Sequence, residues 1–340
     1  MHKDEFYTKI APLGTEHLKK VLWGLYWRGG KDIRGRIEAL LDPERPKKRT
    51  QELPDGDETL QDVLAFVALA RSGAYMGGTR EVSRSERSKW RVTFRRFFKE
   101  TDLLLSHGDI KYGAPAMEEL IDLACETKDV VYFHSEDPVA AMRIVISEQA
   151  RLLWGAYLAH GGFPSFAKRA AYQFIRWENP YGWTVYGEGW VKERETTLTS
   201  VLVQMLKGHD AWVEFTDAYL TALDHVAPSA APTKGKKKPS HWDDRKRELA
   251  REKRAENLTA WNELVLERLQ GTDAEDRLHR LVHHPAFKGV HGAFLQAKLA
   301  HLQGNQQHAQ QLLKRCLQSW PGYRPFLAFA DEIGLVVRGR

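Results

Sequence analysis

Apolar residues along this chain recur at three- and four-residue spacing in one segment after another. In "TEHLKKVLWGLYWRGG", Leu18, Val21, Leu22 and Leu25 share one helical face, Thr15 stands as N-cap and Gly29-Gly30 as the stop. In "KDIRGRIEALLDP", Asp32 caps, Ile33, Ile37, Leu40 and Leu41 form the stripe, and Pro43 closes it. The pattern predicts a helical hairpin over 15–42, which must dock on something larger. The next stretch, 43–58, is Pro-rich and charged without periodicity, as a surface connection is.

From Thr59 the helical period returns, with Leu60, Val63, Leu64 and Val67 in one helix and Trp90, Phe94, Phe97 and Phe98 in a second that ends near His107-Gly108. "PAMEELIDLACETKD", "DPVAAMRIVISEQARLLWGAYLAHGG", "PSFAKRAAYQFIRWE", "VKERETTLTSVLVQMLKG" and "DAWVEFTDAYLTALDHV" continue the series, opened by Pro, Asp or Ser and mostly closed by Gly. The Pro, Ala, Ser and Lys of "APSAAPTKGKKKPS" mark a domain boundary. Beyond it a charged helix over 241–270 carries Leu249, Leu258, Trp261, Leu264, Val265 and Leu269, and three shorter helices follow. The expected fold is an all-α helical array: an N-terminal hairpin at 1–45, a central domain at 58–227, a flexible basic linker at 228–240 and a C-terminal repeat-like domain at 241–340.

"GAFLQAKLAHLQGNQQHAQQLLKRCLQSWPGY" resembles one tetratricopeptide repeat over 289–323: small Ala297 and Ala300 in the first helix, Gly304 at the turn, Ala309, Leu313 and Cys316 in the second, and Pro321 closing. The first half departs from the pattern, with no aromatic before Ala297. The resemblance implies a helix-pair unit of a class that mostly serves protein–protein contact and needs stacked neighbours for stability.

Composition adds few constraints. The chain has 340 residues, 42% of them hydrophobic and 28% charged, and two cysteines, Cys125 and Cys316, far apart; a disulfide framework and a thiolate zinc site are not indicated, and a cytoplasmic setting fits. No run is apolar enough for a signal peptide or a bilayer span, so no membrane partner is expected. The net charge of +6 permits attraction to polyanions.

Charge is concentrated on "SRSERSKWRVTFRRFFKE", where Arg84, Arg87, Arg91 and Arg95 fall on one helix face, opposite Trp90, Phe94, Phe97 and Phe98. Such a ridge lines up with the phosphates of DNA or RNA, or is a solvated face. A second cluster, from Lys234 to Arg254, interleaves carboxylates at helical spacing, which absorbs part of its charge. His279, His283, His284 and His291 evoke a metal site, but Pro285 ends their helix and no complete ligand set accompanies them. His134, Ser135, Glu136 and Asp137 read as a helix start, with Ser135 or Asp137 as cap and Pro138 in the first turn. No phosphate-binding glycine loop and no hydrolase elbow occurs, so no catalytic residue, metal or cofactor is assigned.

The aromatic interruption "RWENPYGWTVYGEGW" remains, 176–190, with Trp177, Trp183, Tyr186 and Trp190 as candidate protein-binding residues. Gly182 and Gly187 allow a small β-hairpin near 181–188, edged by Glu178, Glu188, Glu193 and Glu195, suited to a cationic side chain of a partner. The competing reading is that the tryptophans fill gaps between diverging helices. The function expected is a non-enzymatic adaptor or scaffold that binds another protein. The alternatives are nucleic-acid binding through the 84–99 helix face, and an enzyme with an unrecognised helical site around His134, Glu136 and Glu178.

Overall fold

The computed structural model describes residues 3–30, 33–34, 37–38, 41, 53–77, 81–226 and 241–337. It divides into two units, Met1–Leu53 and Pro54–Arg340. Helices account for nearly all regular structure, and no strand occurs among the described residues. The expected linker at 228–240 and most of the 43–58 connection lie outside them.

The first unit holds α1 (Lys3–Ile10), α2 (Thr15–Arg28) and helical positions between Ile33 and Leu41. Thr15 starts α2 rather than capping it: the N-cap is Gly14, which offers no side-chain acceptor to the free N–H groups. At the other end Arg34 donates to the carbonyls of Tyr26 and Trp27 at 3.2 and 3.1 Å, and the Tyr26 hydroxyl donates to Glu38 at 2.7 Å. The hairpin is therefore tied by polar bonds, and no residue of α2 is buried.

The second unit opens with α3 (Gly56–Arg71), α4 (Arg84–Ser106) and α5 (Ile110–Glu126). Asp55 and Asp109 cap α3 and α5, and Ser83 with Glu86 forms a reciprocal capping box on α4. Their core is aromatic: Phe133 sits between Trp90, Tyr75 and Phe94 with ring centroids 4.3, 5.5 and 5.8 Å away.

A short helix α6 (Pro138–Met142) ends at Arg143, whose left-handed φ of 55° separates it from α7 (Ile146–Trp177). The continuous apolar pattern here predicts a single helix; tertiary caps divide it. Gly162, at φ 69°, breaks α7 into two rods, and Pro164 enters the second rod's first turn. Then come α8 (Gly189–Arg194), α9 (Leu198–Met205), α10 (His209–Val226), α11 (His241–Asn257), α12 (Thr259–Leu269), α13 (Glu275–Val282), a 3-10 turn at Pro285–Phe287, α14 (Val290–Leu302), α15 (Gln306–Ser319) and α16 (Arg324–Glu332).

Packing runs along the chain, with α5 on α7, α7 on α10, α10 on α12, α12 on α14, α14 on α15 and α15 on α16. The core crosses the 228–240 segment. Trp261 of α12 is fully buried among Phe174, Trp212, Phe215 and Tyr219, with centroids 5.2–6.1 Å away. The segments on either side of that stretch thus share one core and lie in one unit. A second cluster joins α14, α15 and α16, and holds Ala297, Ala300, Ala309, Leu313 and Cys316.

Candidate recognition surface

The 176–190 stretch forms no hairpin. Val185 N–H donates not across a strand ladder but to the Asp137 carboxylate, at 2.8 Å. Two tryptophans fix the loop from inside. Trp177, at the end of α7, is buried and donates its indole N–H to Asp122 at 2.6 Å; Trp183 is 3% exposed and donates to the Trp177 carbonyl at 3.0 Å. Arg176 pairs with Asp122 and with Glu118. Of the four aromatics expected to bind a partner, Trp177 and Trp183 are packing residues, because their ring areas and N–H groups are satisfied internally.

The carboxylates beside the loop are also spent on structure. Glu178 accepts from the Thr199 N–H and hydroxyl, at 2.6 and 2.7 Å, at the start of α9. Glu195 accepts from Ile146 and Ser147 N–H, at 2.9 and 2.7 Å, at the start of α7. Burial pushes both acids above the usual carboxylate range, while these donors pull the other way. The departure of Glu195 to cap α7, and the capping of α9 by Thr197, divide the segment expected as one helix at 191–208 into α8 and α9. Asp137 caps α6 through Ala140 N–H at 3.0 Å and holds the loop with its other oxygen. An acid-edged cage is therefore not formed by Glu178 and Glu195.

Outside this frame the loop presents Tyr181, Tyr186 and Trp190, 60%, 62% and 48% exposed. Tyr181 and Tyr186 are tethered from other elements, and Trp190 is covered from its own helix. The Tyr181 hydroxyl donates to Glu256 of α11 at 2.8 Å, and the Tyr186 hydroxyl to Glu136. Both phenols are raised above their ordinary value, chiefly by these hydrogen bonds. Arg194 lies over the Trp190 ring at 4.6 Å and is held by Glu148 of α7 at 2.7 Å. Lys128 and Lys192 donate to the Gly182 and Tyr181 carbonyls, at 2.5 and 3.1 Å, so the 128–137 and 181–190 loops lie side by side. Burial, with Lys253 and Lys192 nearby, lowers the Lys128 ammonium. Val130, Val131 and Val185 are exposed on the same two loops. Tyr181 is absent from the sequence-derived site, although the turn-forming "NPYG" context marks it as a surface position.

The arginine row is divided. Arg95 donates to the carbonyls of Met142 and Ala141 at 2.8 and 3.4 Å, closing the C-terminus of α6, and Arg87 donates to Val82 O at 2.7 Å. Arg84 and Arg91 are exposed, Arg91 lying 5.5 Å over the Trp90 ring. A phosphate ladder of four arginines is not formed, since two of them serve backbone carbonyls.

His134, Glu136 and Glu178 do not converge: His134 is exposed, Glu136 holds Tyr186 and Glu178 is buried under α9. Among the histidines, His284 accepts from Ala286 N–H at 3.2 Å and bonds Asp224 at 3.0 Å, while His291 is buried against Trp320. No group of three or more metal-binding side chains occurs among the described residues. Comparison with protein-family models, with curated proteins and with solved structures finds no match. What stands is an all-α protein in which, among the described residues, no helix is long and apolar enough to cross a membrane.

Proposed function

We propose that this chain is a non-enzymatic interaction protein, an adaptor or scaffold of the cytoplasm, that holds another protein against Tyr181, Tyr186 and Trp190. The observation that carries the reading is that each of these exposed aromatics is tethered by a polar side chain. Exposed rings already fixed in place lose little conformational entropy on binding, which is what makes aromatic anchors effective. The buried Trp177 and Trp183 support it as a rigid base. The helix pair α14 and α15, whose small residues carry the tetratricopeptide resemblance, fits the same class of function. Burial raises both cysteine thiols, Cys316 to about 11, which suits inert packing residues rather than reactive ones.

The test is affinity capture from the source cell with the wild-type chain and with Tyr181→Ala/Tyr186→Ala/Trp190→Ala, each with and without nuclease. A protein captured by the wild type, resistant to nuclease and lost in the variant at unchanged Tm is the expected result. Equal capture by both chains refutes the surface, and release by nuclease transfers the function to nucleic acid. Trp183→Ala is the structural counterpart, expected to cost about 3–5 kcal/mol of stability.

A further inference from the structure

The break in α7 lies beside a cavity that the recognition loops do not use. Its volume is about 460 Å³, and it is lined from α5 by Lys111 and Glu118 and from α7 by Tyr157, His160, Ser165 and Arg169. All of these residues belong to the second unit. Gly161, next to the break at Gly162, lets the two rods of α7 approach: a Cβ there would lie 2.6 Å from both Cβ and Oγ of Ser165 and would push that side chain away. Tyr157 is 2% exposed. Its hydroxyl accepts from Gln173 at 3.4 Å, and among the described residues no group accepts its proton. Burial pushes the phenol above its ordinary value, so the proton stays on the oxygen and is available to donate.

Charge selects the occupant. Lys111, His160 and Arg169 are exposed, and among the described residues none of the three is in an ion pair. Lys111 donates to the Tyr112 hydroxyl at 2.8 Å, with Asp57 and Asp109 acting on it only from beyond ion-pair distance, and Arg169 lies 5.0 Å from the centroid of the Tyr157 ring. The one carboxylate lining the cavity, Glu118, is taken by Arg176 at 3.3 Å. The second rod of α7 also begins here, with Ser165 in its first turn and the positive end of its dipole at the cavity wall. Two cations, an imidazole, a hydroxyl and a buried phenol offer donors from several sides. A phosphate group, with three acceptor oxygens and close to two negative charges, answers them better than a planar, singly charged carboxylate. The volume lies in the range of small-molecule pockets, so the phosphate carries an organic group. We propose that this cavity binds a small organic phosphate monoester, its phosphate held by Lys111, His160, Ser165 and Arg169 with the Tyr157 phenol as a further donor.

Full-length protein is titrated calorimetrically with phenyl phosphate, inorganic phosphate and benzoate at fixed ionic strength. Phenyl phosphate should bind saturably, at one site per chain, and more tightly than either of the others. Lys111→Gln and Arg169→Gln, both at exposed positions, should each weaken it roughly tenfold or more with an unchanged melt. Tyr157→Phe, which removes only the hydroxyl, should weaken it by a smaller factor. No saturable binding of phenyl phosphate, or binding that both glutamine variants leave unchanged, overturns the inference. So does benzoate or inorganic phosphate binding as tightly as phenyl phosphate, since the first would assign the cavity to carboxylates and the second to a bare anion.

Discussion

The chain contains two helical hairpins of similar sequence character and opposite fate. In the α14/α15 hairpin the two helices meet through small residues, Ala297, Ala300 and Ala309, and Phe294, Leu313 and Cys316 are closed over by α16 through Phe326 and Phe329. In the N-terminal hairpin the ties are polar, and no residue of α2 is buried. Helical periodicity is equally clear in both. The C-terminal pair shares its cluster with a third helix, α16, because a helix pair alone cannot bury both sides of its apolar stripe.

Substitutions at matched positions sharpen this contrast. Leu313→Ala, at a fully buried site, should lose about 2–5 kcal/mol by urea denaturation; a loss under about 1 kcal/mol would mean that the C-terminal cluster is not a true core. His291 should give a smaller, pH-dependent effect. It is buried with neither ring nitrogen hydrogen-bonded, and burial lowers its pKa in the folded state below the usual 6.5. The unfolded chain then takes up the proton first, so the stability contributed by His291 is complete above about pH 6.5 and is lost as the pH falls through the folded-state value. His291→Leu should flatten that fall between about pH 7 and about pH 5. If the wild type and variant have parallel pH profiles, the residue is solvated.

The caps give the next contrast. Asn305 accepts from His308 N–H at 3.2 Å at the start of α15, so Asn305→Ala should cost about 1 kcal/mol. Gly14 caps α2 without a side chain, and Gly14→Ser should raise helical content by circular dichroism and add about 0.3 kcal/mol. Leu25→Ala, at an exposed position, should change stability by no more than about 0.5 kcal/mol in the protein alone. A loss near that of Leu313→Ala would show that α2 is covered in solution.

Much of the helical layout was legible in local chemistry. Ser83 with Glu86, and Asp137 before Pro138, are side-chain caps that act within four residues, so their meaning does not depend on distant contacts; the helix expected from Pro115 starts at Ile110, capped by Asp109. The break at Arg143 was not legible, because apolar spacing continues through it and the capping of α7 by Glu195 spans 48 and 49 residues. The recognition site was legible only as a stretch. Composition picks out an aromatic loop, but Trp183 and Tyr186 are three residues apart with the same expectation attached, and only packing sends one inward and the other outward.

By itself, then, the sequence determined the all-α class, several helix starts and the concentration of aromatics at 176–190, all of which follow from periodicity and short-range hydrogen bonding. The tertiary structure decided which aromatics are surface, that Arg87 and Arg95 donate to backbone carbonyls, and that Trp261 draws both sides of the 228–240 segment into one core. The physical reason is common to all three: burial and the pairing of polar groups depend on residues tens of positions away, which no local pattern contains.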